Sequence, residues 1–156
     1  MSSLNPHRLD RSVVPSAYRI HIATDLEGAR FDGTVSIDAV ADMPTSTIVC
    51  HAVDLTIISA VVHAGGTAVG ATATIDPDTE RLTLALDEPI EAGAVRIEIE
   101  FGGTLNDRLV GYYRSTFTTD AGPATMGVTQ FEAPYARRAF PCWDEPEFKA
   151  TFTVSL

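Results

Sequence analysis

Gln130 and Glu132 stand two residues apart in the stretch TQFEAPYARRAFPCWDEPEF, residues 129–148. On an extended strand they share a face, with Phe131 pointing the other way. A carboxylate beside an amide can accept hydrogen bonds from an ammonium group. Arg137 and Arg138 follow, and then the acids Asp144, Glu145 and Glu147. Guanidinium groups this close to several carboxylates can form charge-assisted hydrogen bonds. Two readings are open. In one, an arginine–carboxylate network does nothing more than pin an irregular loop. In the other, the same network holds Gln130 and Glu132 toward a ligand.

Other chemistries find less support. His7, His21, His51 and His63 show no HExxH or other metal-ligand spacing. His21 alternates with core-type residues and is expected on the solvent face of a strand, and His51 reads as a strand residue. No GxSxG, no glycine-rich phosphate loop after a strand and no local Cys–His motif occurs. Cys50 and Cys142 lie far apart and form neither a disulfide framework nor a CxxC knuckle. Two reduced thiols of a cytosolic protein are expected, with Cys142, between Pro141 and Trp143, packed as a small hydrophobe.

The elements that must position the stretch are strands. Tyr18, Ile20 and Ile22 alternate with Arg19 and His21; Val35, Ile37 and Ala39 with Ser36 and Asp38; Val95, Ile97, Ile99 and Phe101 with Arg96, Glu98 and Glu100. Leu82, Leu84 and Leu86 repeat the pattern. Period-two alternation sends one set of side chains to a core and the other to water. STIVCHA, LTIISAVVHA and TAVGATATI are further β-rich runs. Turn signals at DLEGARFDG, DMPTST, AGG, DPDTE and DEPIEAG separate them. Strands at this spacing imply antiparallel sheets. VGYYRSTFTT and ATMGVTQFEA flank DAGP and are expected to form a hairpin with a four- or five-residue connection. That hairpin delivers residues 129–148 to one end of the sheet. APYARRA can supply a turn or two of helix at most.

The chain of 156 residues is long enough for one domain with a proper core. Residues 1–14 are expected to form an extended N-terminal segment. Twenty-one acidic residues against 11 Lys and Arg, a formal charge of −10, argue against a nucleic-acid partner, which needs clustered cations. No apolar run approaches the ~20 residues of a membrane span, and the N-terminus has no apolar signal-type region. A cytoplasmic location is expected.

TQFEAPYARRAFPCWDEPEFKATFTVSL, residues 129–156, closely resembles a signature of the aminopeptidase N family of zinc metallopeptidases. RLDRSVVPSAYRIHIATDLEGARFDGTVSIDAVA resembles the family's opening strands, IVCHAVDLTI its next strand pair, and LNDRLVGYYRSTF the strand before the signature. The resemblance implies an all-β fold: a saddle-shaped, sandwich-like N-terminal domain of antiparallel sheets, here expected to lack its last strands. It implies that residues 1–156 are one domain of a longer aminopeptidase that removes N-terminal residues from peptides. The family's zinc motifs, GxMEN and HExxH, do not occur here, so zinc would belong to a catalytic domain outside this chain. This chain alone is expected to bind no metal and to be inactive.

The family's Gln-x-Glu falls on Gln130 and Glu132. The resemblance implies that Glu132 binds the substrate's α-amine and that Gln130 lines the first side-chain pocket. It also suggests a cis peptide at Glu132–Ala133. Arg137, Arg138, Asp144 and Glu145 match the family's ARR…DEP and are expected to support the site, and Tyr112 and Tyr113 to pack. The implied partners are peptide substrates and the catalytic domain. The rival reading is a stand-alone β-sandwich binding or adaptor module without peptidase activity. The epoxide-hydrolase chemistry of the family's leukotriene branch is disfavoured, because that branch commonly has Gln where this chain has Glu132.

Overall fold

A computed structural model describes residues 8–156. Ten strands carry the fold: β1 (Val13–Asp25), β2 (Arg30–Ala41), β3 (Thr45–His51), β4 (Leu55–Ala64), β5 (Thr67–Asp76), β6 (Arg81–Ile90), β7 (Gly93–Thr104), β8 (Gly111–Thr119), β9 (Gly122–Gln130) and β10 (Thr151–Ser155). The only helical element among the described residues is a single 3-10 turn, Ala136–Arg138. The chain is all-β, as the alternation requires.

Eight strands form one sheet in the order β10-β1-β2-β7-β4-β5-β6-β3. β8 and β9 form a separate two-stranded ribbon. β5 is shared: residues 67–70 pair with β4 and residues 71–76 with β6. The inward faces on both sides of β5 bury one continuous core. Val35, Ile37, Ile97, Ile99 and Phe101 come from the β2–β7 pair, and Ile48, Cys50, Leu82 and Leu84 from β3 and β6. Two glycines let the largest side chains into this core. Phe101 lies opposite Gly33, and Phe31 opposite Gly103. A Cβ on Gly33 would stand 2.6 Å from the Phe101 ring, and one on Gly103 would strike Phe31. Each ring occupies the space its partner lacks.

Three details depart from the expectations. β10 runs parallel to β1, with Tyr18 opposite Phe152 and Ile20 opposite Val154, so the sheet is mixed rather than antiparallel throughout. DEPIEAG is not all turn: β6 continues to Ile90, which pairs with Thr45. Pro89 is tolerated there because pairing with β5 has ended at Leu86 and no ladder donor is needed. The β8–β9 connection is shorter than expected, since pairing continues to Thr119–Gly122 and leaves Asp120 and Ala121 as the turn. Gly122, at φ 114°, starts the return strand inside the DAGP motif.

The expected extended segment over residues 1–14 falls partly outside the described residues. Within them, Leu9 is buried and β1 begins at Val13. His7 also falls outside.

Candidate functional site

β9 ends at Gln130, which lies opposite Gly111 on β8. The ribbon is fixed from below. Tyr112 is buried, its hydroxyl lies 2.7 Å from Thr24 Oγ1, and its ring meets Phe31 edge-on at 5.2 Å. Tyr113, its neighbour, is half-buried on the other face of the strand. Gly127 lies where the Tyr112 hydroxyl needs room, since a Cβ there would come within 2.7 Å of it.

Beyond Gln130 the chain turns. The Phe131 ring is held edge-on against Phe140 at 5.8 Å. The Tyr135 N–H donates to the Phe131 carbonyl at 3.0 Å, which closes residues 131–135 into one loop. Glu132 is exposed on this loop. Its backbone N–H donates to Gln130 Oε1 at 3.0 Å. Only the amide oxygen can accept that bond, so the Gln130 –NH2 is left as a donor. Among the described residues the Glu132 carboxylate has no hydrogen-bond or ion-pair partner. The loop's cis peptide lies at Ala133–Pro134, one bond after the position suggested by the resemblance.

The 3-10 turn then carries Arg137 and Arg138 into a half-buried ion network. Arg137 is 9% exposed along its side chain. Its Nε donates to Asp144 Oδ2 at 3.0 Å and its Nη1 to Glu80 Oε2 at 3.0 Å. Its backbone N–H donates to the same Asp144 oxygen at 3.2 Å. Arg138 donates to Glu80 Oε1 at 2.9 Å and to Asp54 Oδ2, which Arg108 also reaches at 2.7 Å. The Arg138 Nε is buried without a partner. Its Cβ packs against Gly111, where a side chain would come within 2.6 Å and where φ is 69°.

The remaining ties run to β1, β3 and the residues just after β3. His51 and Cys142 exchange backbone hydrogen bonds of 2.8 and 3.0 Å. Val53 N–H donates to the Arg137 carbonyl at 3.1 Å, and Trp143 N–H to the Tyr18 hydroxyl at 3.1 Å. His51 is buried, and its Nδ1 accepts from Asp144 N–H at 3.2 Å. Burial, then the nearby Arg137 and Arg81 cations, push its pKa down to about 3, so it is a neutral acceptor at physiological pH. Cys50 and Cys142 are both free and buried. Burial pushes the Cys50 thiol up to about 12 and raises Cys142 well above its ordinary value. Both stay protonated and unreactive.

Gln130, Glu132, Arg137, Arg138 and Asp144 thus lie on one continuous structure. Glu145 has a different duty: its carboxylate accepts the Leu9 N–H at 2.7 Å, and among the described residues no arginine pairs with it. Glu147 pairs with Arg8 and Arg11 at 3.1 Å each. Sequence reasoning missed Glu80 and Asp54. Both are turn residues at positive φ, 55° and 58°, far from the arginines in sequence, and no local pattern announces them.

The chain matches the family description Peptidase M1 N-terminal domain over residues 14–156. It is 38% identical over 149 residues to Aminopeptidase M1-C of Oryza sativa subsp. japonica, covering 96% of this chain and 17% of that protein. It is 38% identical over 154 residues to Aminopeptidase M1 of Arabidopsis thaliana, covering 96% and 18%. The chain is a Peptidase M1 N-terminal domain. It is also 35% identical over 150 residues to Aminopeptidase N of Acetobacter pasteurianus, covering 96% of this chain and 41% of that protein. This Peptidase M1 N-terminal domain spans under half the length of each of these relatives, and about a sixth of the plant ones. Its all-β architecture is the one the resemblance implied.

Proposed function

We propose that this chain is the N-terminal domain of a zinc-dependent aminopeptidase that removes N-terminal residues from peptides. In this reading Glu132 anchors the substrate's α-ammonium and Gln130 lines the first side-chain pocket. One observation carries it: the Glu132 carboxylate is exposed and unpartnered, on a loop held from both sides by hydrogen bonds. A carboxylate acceptor carried on a backbone held in this way favours an ammonium donor. Holding the amine at one point would put the first peptide bond in register with the catalytic machinery.

Zinc would be held by residues outside this chain. Among the described residues no three His, Cys, Asp or Glu side chains are placed to hold a metal, and no step is derived through the ion. The reduced, buried thiols support a cytoplasmic setting. Among the described residues no helix is long and apolar enough to cross a membrane.

The test is a nuclear magnetic resonance titration of the chain with leucinamide and with N-acetyl-leucinamide. Leucinamide should shift the Glu132 and Gln130 signals, the acetylated analogue should not, and Glu132→Gln should abolish the response. Equal shifts from both compounds would refute the amine anchor. Adding zinc and an aminoacyl reporter to the isolated chain should give no turnover; turnover that a chelator removes would place catalysis within it.

A further inference from the structure

We infer that Glu80, on the turn between β5 and β6, is the positioning residue for the Glu132 loop, acting through Arg137 and Arg138. The inference rests on the reading of Glu132 as the amine anchor. Its structural half can be tested separately.

Arg137 and Arg138 are adjacent cations in a part of the molecule with little water. Side by side they repel, more strongly than they would in bulk solvent. Glu80 meets both: one carboxylate oxygen takes Arg137 at 3.0 Å and the other takes Arg138 at 2.9 Å. Asp144 serves only Arg137, and Asp54 serves Arg138 and Arg108. Glu80 is the single carboxylate among the described residues that ties the two turn arginines to each other.

Glu80 is well placed to act as a fixed post. Its carbonyl accepts the Ala52 N–H at 3.1 Å. The turn that carries it is closed by Asp76, which accepts from Asp78 N–H at 3.0 Å and from the Thr79 hydroxyl at 2.7 Å. β5 and β6 on either side belong to the core sheet. The carboxylate therefore links the rigid sheet to the 3-10 turn.

From that turn two routes reach Glu132. The Arg138 backbone N–H donates to Tyr135, whose own N–H closes the loop on Phe131. The Arg138 Cβ also packs on Gly111, the residue opposite Gln130, and Gln130 Oε1 holds the Glu132 N–H. Glu80→Gln keeps one acceptor oxygen and turns an –NH2 donor toward the other guanidinium, so one of the two arginines loses its acceptor in a buried place and the pair is uncoupled. Both ends of the Glu132 loop would then loosen together.

The experiment is backbone 15N relaxation on the full 156-residue chain, wild type against Glu80→Gln. The wild-type Glu132 amide should show an order parameter of about 0.85, and the variant one below about 0.6, with Ile97 and Ile99 on β7 unchanged. That local loss is not what a uniform drop in stability produces. A Glu132 amide already mobile in the wild type, or one that stays rigid in Glu80→Gln, overturns the inference. Should Glu80→Gln fail to fold, Asp54→Asn is read in its place. It strips Arg138 of one partner and should give a smaller loosening at Glu132, and no change there overturns the inference. Adding leucinamide to the same samples separates the two ideas: local loosening in the variant supports the positioning role whether or not the amine binds.

Discussion

Two places in this molecule solve the same electrostatic problem in different surroundings. On the outer face of the sheet, Arg19 and Arg96 share Asp38, each at 2.9 Å. At the 3-10 turn, Arg137 and Arg138 share Glu80 at 3.0 and 2.9 Å. The distances match, but the burial does not. The Arg19 and Arg96 side chains are 46% and 52% exposed, against 9% and 16% for Arg137 and Arg138. Water already solvates the first pair, so the shared carboxylate adds little. The second pair has given up most of its water, so solvent cannot replace a partner that is lost. Equal geometry therefore carries unequal consequence, and the buried set is the one beside the candidate site.

This contrast can be broken by mutation. Arg137→Met leaves Asp144 only the backbone N–H of residue 137 and should cost about 3 kcal/mol, the low end of the range for breaking a buried ion pair from one side. Urea denaturation measures it, and a loss no larger than that of an exposed pair would erase the difference between the two sets.

The buried set is also sensitive to acid, because His51 accepts a hydrogen bond from the Asp144 N–H beside Arg137. Its folded pKa is depressed to about 3, whereas unfolded histidine titrates near 6.5. The stability from keeping His51 neutral is complete above about pH 6.5 and is lost as pH falls toward 3. By pH 5 the loss should reach about 2 kcal/mol. His51→Gln should flatten the stability profile between pH 6.5 and 5, and an unchanged slope would show that His51 is not the group responsible.

The smallest effect is expected at the exposed pair. Arg96, then Arg19, hold the Asp38 carboxyl below its ordinary range by hydrogen bonding. Its contribution is present above the unfolded carboxylate pKa and fades as pH falls through the lower folded value. Asp38→Asn should shift the urea midpoint by a small fraction of the Arg137→Met effect, and molar salt should remove the shift. A large, salt-resistant loss would contradict the burial argument.

Much of the fold was legible because the informative contacts are periodic. Val35, Ile37, Val95, Ile97 and Ile99 show the alternation of half-buried strands, and the structure buries all five. The ends of elements were less clear. β6 continues through Pro89 because pairing with β5 has already stopped, which is a fact about a neighbour rather than about the local chain. The parallel seating of β10 beside β1 follows from a long return path, not from the five residues of the strand. At the candidate site, the chemistry of Gln130 and Glu132 and the scaffold arginines were legible as residue types. Of their expected partners Asp144 does take Arg137, but the others were not legible. Glu145 binds the Leu9 amide, while Glu80 and Asp54 take the arginines.

By itself, then, the sequence determined an all-β chain, the faces of its central strands and the segment where unusual chemistry gathers. These depend on alternation and on local residue type, which are written along the chain. Only the tertiary structure decided which carboxylate meets which guanidinium and which thiols and imidazole lose their water. Those outcomes depend on distance and dielectric between segments that are remote in sequence, and no local pattern encodes either.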